Sequence, residues 1–390
     1  SDGSIEVIGG KLDATKNIEV GYLGKGSLKI SGGGEVTSDQ GAIGWGAGSI
    51  GSVLITDKGS LWKLSRQLNV GYEGSEKQNA KGSLTVTNKG KLETGSHLYI
   101  AGKESSEGEM EVSEGGIVTV KGNFDVGRNG KGKLEILSGG SVTNAMTSIG
   151  LMSYAEGQAT VSGEKSTWTL TDTLYVGYWG KGELTIEWGG QVTTTGAFYI
   201  GKSSSQDNKV SVTSGGGLTI GSDLYVGYDG KGSLSVLSGG SVSSGAATIG
   251  SQTGSYGEVT VAGDDSTWRV GGTLYVGYSG RGVLTIEDGG MVTTFAESGA
   301  KTNQRHLYIA ENNTGSDSEP SIVIVNGGTL SVDGDLDVGR RGYGVLRIEA
   351  GHVSNWRSSI GWGHGSEGEV TVTGPGSIWE LSGTLYVGAG

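Results

Sequence analysis

The sequence predicts an all-β fold, a right-handed single-stranded parallel β-helix of about fifteen coils with three short strands per coil. Three observations predict it: a recurring apolar-x-apolar-Gly motif, short period-two strands between the motifs, and an unusual composition. Glycine supplies 79 of the 390 residues and proline only 2. The hydrophobic fraction of 34% suits strands that send only alternate side chains inward. Collagen is excluded because it needs glycine at every third position.

The recurring motif provides fifteen anchors, of which thirteen end in glycine and two in alanine. The anchor residues are Gly21, Gly44, Gly71, Ala101, Gly127, Gly150, Gly177, Gly201, Gly227, Gly250, Gly277, Ala310, Gly339, Gly361 and Gly388. They are separated by 22 to 33 residues, which is too short for a domain and too long for a hairpin. A repeat of this length along the whole chain predicts stacked coils.

The segment between two anchors supplies the other strands of a coil. Residues 174–177 form an anchor, and residues 184–186 and 191–193 are short alternating segments bounded by glycine pairs. One coil has too few apolar residues to bury its own face, so stacked Leu, Val and Ile positions should form a continuous inner column. Neighbouring coils should pair in parallel about 4.8 Å apart, with right-handed crossovers. A β-propeller or a sandwich does not explain this repetition.

A longer repeat groups the coils in fours. Gly127 and Gly227 are one hundred residues apart, as are Gly177 and Gly277, and one coil in four carries a tryptophan. Those tryptophans are Trp62, Trp168, Trp268 and Trp379. We therefore expect one continuous β-helix over 1–390, built from blocks at approximately 18–126, 127–226, 227–338 and a partial 339–390. Because the sequence starts without Met and stops inside a repeat, we expect a fragment of a longer protein.

Composition excludes several classes of function. The chain has no cysteine, which removes disulfides, zinc thiolate sites and thiol nucleophiles. Its net charge of −12 argues against nucleic-acid binding, since no basic field is present to recruit phosphates. No apolar run approaches the length needed to span a bilayer, so this segment is not expected to insert into a membrane.

The repeat also resembles a known family. The cycle Leu-Tyr-Val-Gly-Tyr-x-Gly-Lys-Gly-x-Leu-Thr-Ile-x-x-Gly-Gly-x-Val, seen at 174–192, 224–242 and 274–292, is similar to the Gly-rich passenger domains of Gram-negative autotransporters. The likeness covers essentially the whole chain. It implies export through a C-terminal barrel that this chain does not contain, and therefore a secreted or surface-anchored protein. The family includes adhesins, biofilm proteins, virulence effectors and some enzymes, so the resemblance informs architecture more than activity.

Motifs for catalysis are not apparent. The family's protease motif Gly-Asp-Ser-Gly does not occur, and the repeated Gly-Lys-Gly lacks the spacing of a phosphate loop. His97 and His306 occupy equivalent places before Leu-Tyr-Ile, which favours a structural role over catalysis. Asp125 and Asp337 share a coil position but lie eight coils apart. We therefore expect no enzyme activity, no cofactor and no metal.

Period-two alternation predicts an outward row of tyrosines. In Leu-Tyr-Val the Leu and Val share one face, so inward Leu and Val place the Tyr towards solvent. This candidate binding face comprises Tyr99, Tyr175, Tyr199, Tyr225, Tyr275 and Tyr308, with Tyr386 in the same register. The row is either a ladder that stabilises its own sheet or a stacking platform for sugar rings or a partner protein.

A basic corner is predicted beside this row. Lys25, Lys131, Lys181, Lys231 and Arg281 share one turn position in odd-numbered coils, and members two coils apart should lie roughly 10 Å from each other. Such a row could bind sulfated glycosaminoglycan, or it could be a set of solvated turn lysines. Irregular spacing also marks four corner loops, at 72–81, 202–209, 294–305 and 311–320, which are either recognition loops or neutral insertions.

The sequence thus favours an adhesin or self-associating passenger that binds host matrix, glycan, a cell-surface protein or another copy of itself. A released effector that engages a host-cell receptor is the alternative, and a carbohydrate-active enzyme ranks last. The expected mechanism is multivalent: many weak sites gain avidity because the coils fix their spacing.

Overall fold

The computed structural model describes residues 1–75, 78–203, 205–295, 305–312 and 319–388. The chain divides into two compact units, Ser1–Thr195 and Gly196–Gly390. Both are built only from strands and turns over the described residues, and each coil contributes a long, an intermediate and a short strand.

The first unit contains 23 strands among its described residues. They are β1 (Asp2–Ile8), β2 (Lys11–Asp13), β3 (Ile18–Val20), β4 (Lys25–Ser31), β5 (Glu35–Ser38), β6 (Gly41–Ile43), β7 (Ile50–Ile55), β8 (Leu61–Leu64), β9 (Leu68–Val70), β10 (Ala80–Val86), β11 (Lys91–Thr94), β12 (Leu98–Ile100), β13 (Ser106–Val112), β14 (Ile117–Val120), β15 (Phe124–Val126), β16 (Lys131–Leu137), β17 (Ser141–Asn144), β18 (Thr147–Ile149), β19 (Glu156–Ser162), β20 (Thr167–Leu170), β21 (Leu174–Val176), β22 (Lys181–Glu187) and β23 (Gln191–Thr194).

The second unit begins with a short strand and continues in the same order. Its strands are β24 (Phe198–Ile200), β25 (Asp207–Thr213), β26 (Gly217–Ile220), β27 (Leu224–Val226), β28 (Lys231–Leu237), β29 (Ser241–Ser244), β30 (Ala247–Ile249), β31 (Tyr256–Ala262), β32 (Thr267–Val270), β33 (Leu274–Val276), β34 (Arg281–Glu287), β35 (Met291–Thr294), β36 (Leu307–Ile309), β37 (Ser321–Asn326), β38 (Thr329–Val332), β39 (Asp335–Val338), β40 (Tyr343–Glu349), β41 (His352–Asn355), β42 (Arg357–Ile360), β43 (Glu367–Thr373), β44 (Ile378–Leu381) and β45 (Leu385–Val387).

Every third strand belongs to the same sheet in each unit. The long strands form sheet A, the intermediate strands sheet B and the short strands sheet C. Each strand pairs in parallel with its counterpart in the next coil, as β16 does with β13 and β19. The predicted parallel β-solenoid of about fifteen three-strand coils is therefore confirmed. The four-coil blocks stay a prediction.

The core of each coil is the inward column of its three sheets. Leu174 and Val176 in sheet C and Ile186 in sheet A are all fully buried or nearly so, whereas Tyr175 between the first two is half-buried. Complete burial of one such aliphatic side chain contributes about 1.5–3 kcal/mol, so the stacked column is the main stabilising term. The predicted inward orientation of Leu and Val is confirmed.

Buried tryptophans recur at the same strand position in several coils of sheet B, and each brings an indole N–H group into the core. Trp168 has no exposed surface, and its indole Nε1–H donates to Asn144 Oδ1 of the preceding coil at 2.8 Å. The Asn144 amide donates in turn to Thr147 Oγ1 at 2.8 Å. Trp62 and Trp268 donate to serine hydroxyls at the same place. Because each buried donor has an acceptor, the tryptophans add volume without an unsatisfied polar group.

The anchors mark the corner where a coil turns from sheet C to sheet A. Gly127 adopts a φ of 67°, in the left-handed region, and a Cβ there would overlap with the carbonyl of Glu156. Ala101 and Ala310, the two exceptions in the repeat, have φ values of 57° and 58° and are fully buried. The anchor thus keeps its left-handed backbone conformation even where alanine replaces glycine. That conformation is roughly 1 kcal/mol less favourable for alanine than for glycine.

The predicted corner loops fall partly outside the described residues. Residues 76, 77, 204, 296–304 and 313–318 belong to these loops and are not described. In the first loop, Ser75 and Gln78 form an antiparallel bridge.

We predict that Gly132→Ala destabilises the first unit. Gly132 points inward on sheet A, and a Cβ there would overlap with the backbone of Gly127. Because Gly127 offers only backbone atoms there, the corner between β15 and β16 must distort, and the free energy of unfolding should fall by about 1–3 kcal/mol. Urea unfolding followed by circular dichroism measures this.

The control is Gly3→Ala, which lies in the equivalent position of β1 but has no described atom within 4 Å of a Cβ. Gly3→Ala should leave the urea concentration at the unfolding midpoint nearly unchanged. An equal loss in both variants would contradict the steric explanation.

Candidate binding face on sheet C

In each unit the middle residues of the short strands form an outward column on sheet C, here called the sheet C column. In the first unit its members are Glu19, Ala42, Asn69, Tyr99, Asp125, Ser148 and Tyr175. In the second unit they are Tyr199, Tyr225, Thr248, Tyr275, Tyr308, Asp337, Ser359 and Tyr386. The seven predicted tyrosines all lie in this column and are exposed or half-buried. Their role in binding stays a prediction.

The tyrosines do not form an uninterrupted ladder. Tyr199 and Tyr225 stack with centroids 4.7 Å apart and ring planes 8° from parallel. Tyr275 and Tyr308 form a looser pair at 5.5 Å. Tyr99 is flanked in register by Asn69 and Asp125 instead. The aromatic surface therefore comes in separate clusters, because other side chains occupy the intervening coils.

Residues that follow the anchors place a second row beside this column. Tyr228 packs edge-on against Tyr199 and Tyr225, with centroids 5.3 and 5.4 Å apart. The ammonium of Lys202 lies 3.3 Å from the Tyr228 centroid and 4.7 Å from that of Tyr199. These four residues form the tyrosine–lysine cluster. The contacts stabilise the sheet and also present a half-exposed aromatic surface that carries a cation.

Burial changes the titration of this cluster. Desolvation lowers the pKa of Lys202, although Asp229 opposes the shift. Desolvation, reinforced by the nearby Asp223 carboxylate, raises the pKa of Tyr225 to about 12. Tyr225 therefore keeps its hydroxyl proton at physiological pH and can act as a hydrogen-bond donor.

A cluster of five residues occurs twice, once in each unit, and is here called the His–Tyr–Asp–Arg–Ser cluster. In the first unit it is formed by His97, Tyr99, Asp125, Arg128 and Ser148. The rings of His97 and Tyr99 are stacked at 5.7 Å, and the Arg128 guanidinium lies 4.1 Å from the Tyr99 centroid. Arg128 Nε is 3.8 Å from the buried carboxylate of Asp125.

The second copy reproduces these contacts with His306, Tyr308, Asp337, Arg340 and Ser359. The two rings stack at 5.4 Å, Arg340 lies 4.3 Å from the Tyr308 centroid, and its Nε is 3.8 Å from Asp337. Ser359 Oγ donates to Asp337 Oδ1 at 2.5 Å. The same side chains are therefore brought together by two separate stretches of sequence.

The histidines of the two copies serve as hydrogen-bond acceptors for the next coil. His97 Nδ1 accepts the backbone N–H of Asn123 at 2.9 Å, and His306 Nδ1 accepts that of Asp335 at 3.1 Å. This use of Nδ1 agrees with the structural role that the sequence favoured.

The aspartates of the two copies are the more perturbed groups. Desolvation raises the pKa of Asp125 to about 6, while Arg128 opposes the shift. Desolvation also raises the pKa of Asp337, which the hydrogen bond from Ser359 opposes. The sequence predicts a shared coil position for these aspartates but not their association with Tyr and Arg. The repeated Asp-Val-Gly-Arg at 125–128 and 337–340 was the available signal.

The basic positions differ from the sequence prediction in two ways. They begin the long strands of sheet A and do not lie in a turn. They also alternate with acidic positions: Lys131 pairs in register with Glu107 and Glu156, and its Nζ is 3.3 Å from the Glu156 carboxylate.

The other members of the basic row also lie near carboxylates, although Arg281 has Tyr256 and not an acidic residue in register. Lys181 bonds to Glu183 at 2.8 Å, and Arg281 to Glu319 at 2.5 Å. Lys231 lies in register with Asp207, and Lys25 with Asp2. Glu156 and Asp207 belong to the coils between the basic positions, which the repeat of basic residues does not include.

The described part of the chain offers neither a metal-binding cluster nor a membrane-spanning helix. It contains no group of three His, Asp or Glu side chains arranged to hold a metal ion. It also contains no helix whose length and apolarity would let it cross a membrane.

Comparisons with known proteins give limited similarity. No protein-family model matches the chain. It is 27% identical over 163 residues to the uncharacterized lipoprotein YdeK of Escherichia coli (strain K12). The aligned region covers 40% of this chain and only 12% of the length of that protein. It is similar to the crystal structure of a TibC-catalyzed hyper-glycosylated TibA55-350 fragment, with 17% identity and a TM-score of 0.44 over 97% of this chain and 100% of that one. The chain resembles autotransporter passenger domains in its Gly-rich repeat and its three-strand coils.

We predict that Asp125→Asn stabilises the protein above pH 6 and has little effect in acid. The folded-state pKa of Asp125 is raised from 3.8 to about 6, so folding favours the protonated carboxyl. Native stability should therefore fall as pH rises through that interval. The variant lacks this loss, so between pH 4 and pH 7 its free energy of unfolding should rise by roughly 1–3 kcal/mol relative to that of the native protein.

Urea unfolding at several pH values measures the difference. Glu19→Gln is the control, because Glu19 occupies the same column position and is exposed. A difference between Asp125→Asn and native protein that does not vary with pH would contradict the assignment.

Proposed function

We propose that this chain is a surface-exposed or secreted adhesin of the autotransporter-passenger type, and that it acts by binding and not by catalysis. The binding surface is the outward face of sheet C. Its partners are host-cell proteins, matrix components or glycans presented on a surface. The observation that carries the proposal is the solvent-facing aromatic clustering on this sheet, which recurs along the coils of each unit.

The tyrosine–lysine cluster illustrates why this face suits recognition. Its rings are apolar on their faces and carry hydroxyl groups at their edges, so they can stack and hydrogen-bond with the same partner. The parallel stacking and edge contacts hold the rings in place, which lowers the entropy lost on binding. Repetition along a fixed scaffold adds avidity when the partner is itself repetitive.

The charges favour an uncharged or mixed partner over sulfated glycosaminoglycan. Lys131 and Lys181 are already close to carboxylates at 3.3 and 2.8 Å. An anionic polymer would have to replace these contacts and approach a chain with a net charge of −12. We therefore propose that the basic positions stabilise sheet A.

A binding role also agrees with the state of the titratable groups. His97 and His306 use Nδ1 to hold the backbone of the next coil. Asp125 lies beside Arg128 and Asp337 beside Arg340, and each guanidinium group lies over a tyrosine ring. These contacts hold the histidines and aspartates within the fold, which supports a protein that recognises and does not transform its partner.

We predict that the double variant Tyr199→Ser and Tyr225→Thr weakens attachment to host cells or immobilised matrix by about tenfold, through loss of the stacked pair. Serine and threonine occur naturally in the sheet C column at Ser148 and Thr248, so the coil should fold unchanged. Binding of fluorescently labelled protein to cell layers measures the effect.

Two controls separate this face from other surfaces. Tyr154→Ser removes an exposed loop tyrosine, and Lys131→Glu reverses a sheet A charge; both should bind as the native protein does. Full binding by the double variant, or equal loss with Tyr154→Ser, would show that the face is not the binding surface.

A further inference from the structure

We propose that a cleft on the sheet C face of the second unit is a binding site for a neutral oligosaccharide. The cleft surrounds the second His–Tyr–Asp–Arg–Ser cluster and has a volume of about 430 Å³, within the range of sites for small ligands. Its aromatic walls are Trp356, Trp362 and Tyr386, of which the two tryptophans have no counterpart in the first copy. This inference rests on the proposed adhesin function and specifies one ligand class and site for it.

The two copies of the cluster provide an internal comparison. Asp125 pairs with Ser148 as Asp337 pairs with Ser359, so the residues around them can be matched coil by coil. Trp356 corresponds to Ala145, Arg357 to Met146, Trp362 to Leu151, and Asp335 to Asn123. The shared core is kept, and the changes fall on residues that line the cleft.

The substituted residues are not required by the fold. Trp356 is 55% exposed although Gly383 of the next coil lies beside it, so most of the hydrophobic gain expected of an indole is not realised. The first copy builds the same coil with Ala145 and Leu151 at these positions. Large aromatic side chains that a coil does not need, and that face a cleft, are typical of a recognition surface.

The polar groups of the cleft are held in fixed orientations. Arg357 forms two hydrogen bonds to the Asp335 carboxylate, at 3.2 and 2.5 Å. Asp337 accepts from Ser359, and Arg340 lies beside it at 3.8 Å. Carboxylates and guanidinium groups have more acceptor and donor positions than these contacts use, which suits the hydroxyl groups of a sugar. Indole faces suit the apolar faces of pyranose rings.

The charge balance selects a neutral ligand. Among the residues that line the cleft, the carboxylates of Asp333, Asp335 and Asp337 outnumber the guanidinium groups of Arg340 and Arg357. A sulfated glycan or a nucleic acid would need an excess of positive charge at the same place. The combination of two indoles with pre-oriented polar groups that carry no excess of positive charge therefore fits a neutral oligosaccharide.

The test compares native protein with the double variant Trp356→Ala and Trp362→Leu, which installs the residues of the first copy. Isothermal titration calorimetry would use chitotriose, cellotriose, mannotriose and lacto-N-tetraose as neutral probes and a heparin hexasaccharide as the anionic probe. We expect the native chain to bind at least one neutral probe better than heparin hexasaccharide. The double variant should bind that probe about tenfold or more weakly, because both stacking surfaces are removed.

Trp188→Ala is the matched control, since Trp188 is 64% exposed and lies outside the cleft. It should bind as the native protein does, and circular dichroism should show unchanged folding in both variants. The proposal is overturned if no neutral probe binds, if heparin binds best, or if the double variant retains full affinity.

Cell attachment distinguishes this inference from the function on which it rests. Attachment that persists in native protein and in the Trp356→Ala, Trp362→Leu variant, without binding of any neutral probe, would reject the sugar site and keep the adhesin function. Absence of attachment by the native protein would reject the adhesin function itself.

Discussion

The close approach of successive coils at the anchor corner is the constraint on which the structure depends. There the backbone turns from sheet C to sheet A against its neighbours, and a side chain at Gly127 or Gly132 would overlap with main-chain atoms. This contact fixes the parallel register, and the register fixes which side chains stack inside. The hydrophobic column then supplies most of the stability, since each coil alone buries too little surface to fold.

A fixed interior leaves the outward positions free to vary. The sheet C column holds tyrosine, aspartate, serine, threonine and asparagine without any change of register. The two His–Tyr–Asp–Arg–Ser clusters show how one local arrangement can be kept while its surroundings change, as with Ala145 and Trp356. A solenoid of this kind can thus carry different recognition surfaces on one backbone plan.

Charge on this protein acts locally. Lys131 and Glu156, which belong to successive coils, pair across sheet A, whereas Arg128 and Arg340 cover tyrosine rings and accompany buried aspartates. Most cations near the candidate face are therefore engaged with a ring or a carboxylate of the same unit. The binding that we propose for this face would therefore depend on shape and aromatic surface more than on net charge.

The sequence alone determined the solenoid, the positions of the anchors and the inward direction of Leu174 and Val176, because spacing and period-two alternation are local properties of the chain. It also placed the tyrosines on one outward column. It did not reveal the carboxylates beside Lys131, nor the association of Asp337 with Tyr308 and Arg340. Lys131 and Glu156 are about one coil apart, as are Tyr308 and the Asp337–Arg340 pair. Because coil lengths vary, only the three-dimensional register brings them together.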